Sequence, residues 1–100
     1  MATLYIAEVD RLGIDGRGHD VMAPAMPPIV EQTVSIGMTS TQSSAFTTST
    51  LFVQIHCDAI CSVAFGTNPT ATTSNQRMAA NETRFVSVRK GDKIAVIVNT

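Results

Sequence analysis

His56, Cys57, Asp58 and Cys61 gather the chain's most reactive side chains into six residues, and three kinds of site can be imagined from them. A Cys–His pair serves as nucleophile and base in hydrolases, a Cys/His set binds zinc, and two cysteines can close a disulfide. Each needs a geometry that an extended segment does not supply. Neighbouring strand residues point to opposite faces, so His56 cannot reach Cys57 as its base. A structural zinc takes four ligands, and the second histidine, His19, lies far away in a glycine-rich stretch. Four extended residues span about 13 Å, beyond the ~7 Å between α-carbons that a disulfide tolerates, unless the chain bends sharply at Asp58-Ala59. The expectation is two buried thiols that pack as small hydrophobes.

The other candidates fail on context. Gly13, Gly16 and Gly18 resemble a phosphate cradle only in composition, because prolines follow them where a helix N-terminus is required. Asp10, Asp15 and Asp20 lack the dense ligand alternation and closing glutamate of a calcium loop. Asn81-Glu82-Thr83 matches the glycosylation acceptor pattern, and Asn68-Pro69-Thr70 fails it through its proline. A cupin-type metal site wants a histidine cluster that two histidines cannot form. The residues therefore predict a chain that is not an enzyme and has no catalytic, metal-binding or cofactor-binding residues.

The elements that would position any site read as strands. Residues 4–9 alternate, with Tyr5, Ala7 and Val9 on one side and Leu4 and Ile6 on the other. Between Arg11 and Pro28, three glycines and three prolines dissolve the pattern, which predicts an unpaired loop of about 18 residues, long enough to be a contact element. Val30, Gln32, Val34, Ile36 and Met38 then share one parity. Residues 39–49 are mostly Ser and Thr, a turn or edge strand with Phe46 as its inward anchor. Leu51, Val53, Ile55 and Cys57 form one face of a further strand, opposite Phe52, Gln54, His56 and Asp58. Cys61, Val63 and Phe65 form another, closed by Gly66. After a Thr-rich loop, residues 76–81 read as one helical turn or a short extended link. Strands at 84–89 and 94–98 flank Lys90-Gly91-Asp92-Lys93, a hairpin signal. The expected core is Val34, Ile36, Val53, Ile55, Val63, Phe65, Val86, Val88, Ile94 and Val96.

Six or seven short strands and no long 3.6-residue period predict an all-β protein, a small antiparallel β-sandwich, jelly roll or barrel. With 100 residues, 44% of them hydrophobic, one domain is expected, with residues 1–29 as a strand or extended arm plus Gly/Pro-rich loop and residues 30–100 as the sandwich body. Seven Lys and Arg against eight Asp and Glu, spread without a cluster, give no footprint for nucleic acid. No run approaches the ~20 apolar residues of a membrane helix, and no signal-peptide core follows residue 5, so the chain is expected to stay in the cytoplasm in which it is made. Polarity is carried by 21 Ser and Thr rather than by ions, which suits broad contacts better than steering of charged ligands.

The second half carries a resemblance. Asp58-Ala59-Ile60-Cys61-Ser62-Val63-Ala64-Phe65-Gly66, Asn68-Pro69-Thr70-Ala71-Thr72, Arg77-Met78-Ala79-Ala80-Asn81 and Val88-Arg89-Lys90-Gly91-Asp92-Lys93-Ile94-Ala95-Val96-Ile97 are similar to small β-sandwich proteins of tailed-bacteriophage virions, capsid decoration or cement proteins among them. The resemblance covers about half the chain and lies in turns and strands. It implies a non-enzymatic protein on the outer capsid surface, made in the bacterial cytoplasm, binding the major capsid protein as a homo-oligomer, a dimer or trimer. On that view the arm makes the contacts, through Leu4, Tyr5, Ile6, Val9 and Arg11. The alternative is a tail- or fibre-associated module that binds a host-surface glycan or another tail subunit. Sugar binding draws on exposed aromatics beside carboxylates or amides, and this chain has five aromatics and no Trp.

Overall fold

Alternating β-branched and polar residues set the strands, and the apolar parity of each decides which way it faces. In the computed structural model, which describes residues 2–14, 16–24 and 26–100, with backbone alone at 14 and 20–24, ten strands follow one another. They are β1 (Thr3–Val9), β2 (Leu12–Ile14), β3 (Asp20–Pro24), β4 (Val30–Ser35), β5 (Thr41–Gln42), β6 (Phe52–Cys57), β7 (Cys61–Gly66), β8 (Gln76–Met78), β9 (Thr83–Ser87) and β10 (Lys93–Val98). Sheet one has the order β4-β1-β6-β9 and sheet two the order β5-β10-β7-β8, with every pair antiparallel. Strands β2 and β3 pair with each other as a separate hairpin.

The two sheets pack face to face as a β-sandwich. Leu4, Ile6, Val34, Val53 and Ile55 from sheet one meet Val63, Met78, Ile94 and Val96 from sheet two, and Phe46 enters from the crossing loop. Counting from β4, the strands alternate between sheets except for the β7–β8 pair, and β1 takes the place that an eighth strand after β10 would fill. This is the strand order of a jelly roll with its last strand supplied by the first segment of the chain. Backbone bonds place both ends of the chain beside one another: Ile36 N donates to Ala2 O at 3.0 Å, Val98 N to Gly37 O at 2.9 Å and Asn99 N to Ile60 O at 3.0 Å.

Three expectations are corrected. Residues 4–9 are no arm: β1 lies between β4 and β6, bonded on both sides. Its alternation was legible, but its partners were not, because strand pairing over 25 to 50 residues leaves no local mark. The Gly/Pro stretch is also more regular than expected, since β2 and β3 fold back on each other as a two-stranded sheet of their own. Gly18, at φ +82°, supplies the left-handed turn residue that this return requires. Third, Lys90-Gly91-Asp92-Lys93 does not make a hairpin but carries the chain from β9 in sheet one to β10 in sheet two. Gly91 has the positive φ the motif implied, +81°, and its N–H donates to Phe46 O at 3.1 Å, which ties the crossover to the 43–50 segment.

The inward set otherwise follows the alternation. Val34, Ile36, Val53, Ile55, Val63, Ile94 and Val96 are buried, and Phe65, Val86 and Val88 pack against them half-buried. Met38 and Leu51, which share the inward parities, are exposed because β4 ends before Met38 and β6 begins only after Leu51. Phe46 is buried and residues 41–42 form an edge strand. Residues 76–78 are extended, and Asn81 turns the chain into β9 with φ 61°, a left-handed conformation that Asn tolerates.

Candidate functional site

The bend after β6 places Cys57 in sheet one and Cys61 in sheet two, both free and fully buried. The Cys57 thiol donates to Ala79 O at 3.0 Å. Burial foremost, then the neighbouring Cys57, pushes the Cys61 thiol up to about 12, so neither nucleophilic attack nor metal ligation is favoured there. His56 points the other way and its Nδ1 lies 2.8 Å from Thr83 Oγ1. The strand thus separates His56 from Cys57 as its period requires. Among the described residues no three His, Cys, Asp or Glu side chains converge on a metal site. Of the calcium candidates, Asp15 lies outside the described residues and Asp20 is described in backbone only. No helix follows Gly13, Gly16 and Gly18; the chain continues into β3.

The five residues expected to touch a partner divide sharply. Leu4, Ile6 and Val9 are buried in the body and make no surface, which corrects that expectation: they face the interior or are covered by their neighbours because β1 is a central strand. Tyr5, 47% exposed, and Arg11, at the root of the hairpin, do face outward. Nothing in the sequence singles out Glu8. Its carboxylate is buried and accepts from Thr50 Oγ1 at 2.8 Å, Thr47 N at 3.0 Å and Gln32 Nε2 at 3.1 Å. It fastens β1 to the 43–50 segment. Gln32 extends the knot, because its Oε1 accepts from Ser44 N at 2.9 Å and closes the β4 side of the sandwich.

The outer faces of the two sheets differ. Over sheet two lies the Thr-rich loop: Pro69 and Ala71 are buried, and Ser62 and Ala95 on the strands beneath are fully covered. Polar bonds hold the cover in place, with Gln42 Nε2 donating to Asn68 Oδ1 at 2.9 Å and Pro69 O at 2.7 Å, and Asn99 Nδ2 donating to Ser62 Oγ at 2.7 Å. Among the described residues no such lid lies over the middle of sheet one. Register sets two rows across its four strands, Thr33–Tyr5–His56–Thr83 and Glu31–Ala7–Gln54–Phe85. Tyr5 and His56 lie with ring centroids 6.4 Å apart and planes inclined at 45°, and Phe85 is 57% exposed. Because Ala7 is small, the face dips between Tyr5, Glu31, Thr33, Gln54 and His56 into a concavity of about 420 Å³.

The second outward feature is the β2–β3 hairpin. Arg11, Leu12, Arg17 and His19 are exposed along it, as are Met26 and Ile29 where it rejoins the body. The sequence marked this stretch as a long loop; Leu12, Met26 and Ile29 are its exposed apolar side chains. The sheet face was harder to find, since Glu31, Ala7 and Gln54 come together only through the register. Comparison with protein-family models, with curated proteins and with solved structures finds no match to this chain.

Proposed function

We propose that this chain is a non-enzymatic virion structural protein of the capsid decoration, or cement, type, which binds the outside of a phage head as a homo-oligomer and braces contacts between major capsid subunits. The observation that carries the reading is the β2–β3 hairpin, a two-stranded sheet separate from the two sheets of the sandwich, inserted between β1 and β4 in a segment that exposes Leu12, Met26 and Ile29. A rigid sandwich with one projecting hairpin suits a protein that lies on a shell and reaches across a subunit boundary. Strand edges and apolar arms are the usual means of such docking. Repetition over a shell lets individually weak contacts hold collectively. The jelly roll also occurs in capsid and lectin domains, which is an analogy of fold and not of site.

The test is to mix the protein with capsid shells that lack it and follow both by sedimentation. Saturable binding at a fixed ratio to the major shell protein, with raised shell thermal stability, is expected. Absence of binding to shells, with recovery of the protein in purified tails, would overturn the capsid role in favour of a tail module.

A further inference from the structure

The concavity over Ala7 belongs to a different surface from the hairpin and asks for a different kind of ligand. We infer that it is a binding site for a neutral saccharide, with the Tyr5 ring as the stacking platform and the Glu31 carboxylate and Gln54 amide as acceptors and donors for ring hydroxyls.

Four observations lead there. First, sheet two seals its outer face with a bonded loop while sheet one leaves this face open, with an aromatic ring 47% exposed at its centre. Second, the polar groups are spaced for a ring. Glu31 and Gln54 both pair with Ala7, from β4 and β6, so they stand two strand spacings apart, about 10 Å between α-carbons, on either side of a floor that carries only a methyl group. Third, Tyr5 and His56 meet at 45°, forming a wall with apolar faces, and Thr83 holds His56 through Nδ1, so that Nε2 is the ring nitrogen that can address a ligand. Fourth, the lining has a carboxylate and neither lysine nor arginine. Phosphate and acidic sugars are therefore repelled, whereas a neutral pyranose, apolar on one face and hydroxylated at its rim, meets the Tyr5 ring as a wall and hydrogen-bonding groups on either side of the Ala7 floor. A purely apolar ligand would leave Glu31, Gln54 and Thr33 to be desolvated without partners.

The inference does not rest on the capsid reading, and its test needs no shells. Backbone amide NMR of the full chain is followed during titration with methyl glycosides of glucose, galactose, mannose and N-acetylglucosamine, with glucuronate as the acidic comparator. Saturable shifts confined to Tyr5, Ala7, Glu31, Thr33, Gln54 and His56 are expected with at least one neutral glycoside, and weaker ones with glucuronate. Ala7→Leu fills the floor from the solvent side and is expected to weaken binding about tenfold or more while leaving the spectrum dispersed. Glu31→Gln should lift the discrimination against glucuronate. Gln54→Ala serves the same purpose as Ala7→Leu should that variant fold poorly. The inference is overturned if none of the four glycosides moves these amides, if the floor and Gln54 variants bind as the parent does, or if glucuronate binds best.

Discussion

Removing the Glu8 carboxylate should destabilise the sandwich by more than a typical core truncation would suggest from size alone. Three donors converge on it: the hydroxyl of Thr50 at 2.8 Å, the N–H of Thr47 at 3.0 Å and the amide of Gln32 at 3.1 Å. In Glu8→Ala all three lose their acceptor. Thr50 Oγ1 is buried but keeps Thr47 Oγ1 as a partner at 2.9 Å, and Gln32 Nε2 keeps Ser44 O at 3.4 Å, so each of the three lost bonds is worth about 0.5–1.5 kcal/mol. The sum is about 1.5–4.5 kcal/mol, a large share of the ~5–15 kcal/mol that holds a domain together. Glu8→Gln keeps Oε1 for Thr50 and Thr47 but sets an amide against the amide of Gln32, which cannot turn over without giving up its bond to Ser44 N. It should cost about 1–3 kcal/mol, because the bonds to a charged acceptor weaken and one is lost. Urea unfolding followed by far-UV circular dichroism measures both. A Glu8→Ala variant within about 1 kcal/mol of the parent, or a Glu8→Gln variant less stable than Glu8→Ala, would refute the account of this knot.

Deleting residues 1–10 removes a strand bonded on both sides and should leave no folded protein by circular dichroism; a cooperative unfolding transition in that variant would show β1 to be dispensable. Val53→Asp should also prevent folding, since Val53 is fully buried and an unpaired carboxylate there costs several kcal/mol; a soluble, folded variant would mean that the β6 register is off by one residue. Burial, then Cys57, raises the Cys61 thiol in the fold to about 12, from the ordinary value of 9.0. The neutral thiol is thus favoured in the native state, and its contribution to stability is complete below about pH 9 and lost as pH rises toward 12. The unfolding midpoint of the parent should accordingly fall more steeply across that window than that of Cys61→Ala, and equal slopes would count against it.

Much of the body was legible because a half-buried strand writes its facing in every second residue. Val53-Gln54-Ile55-His56-Cys57 shows this, with its odd positions buried and its even ones turned outward. The same period separates His56 from Cys57 onto opposite faces. What the alternation cannot carry is which strand lies beside which. β1 reads equally well as an edge, an arm or a central strand until β4 and β6 are found on either side of it, and so three of its residues were assigned to a partner instead of the core. The crossover at residues 90–93 failed for a related reason: a glycine with positive φ serves a hairpin and an arch between sheets alike. The sheet-face site was illegible because Glu31, Ala7 and Gln54 are distant in sequence and acquire meaning only in one register.

The central claim is that the projecting hairpin, not the β1 strand, is the contact arm. Since Glu8 faces Val30 across the antiparallel β1–β4 pair, residues 11–28 can be replaced by Asn-Gly, which leaves Val9-Asp10-Asn-Gly-Ile29 as a five-residue hairpin loop between that pair. The most direct measurement is sedimentation of the parent and this shortened variant with capsid shells that lack the protein. Saturable, stoichiometric binding by the parent and none by the folded, shortened variant is the predicted result; equal binding by both would contradict it.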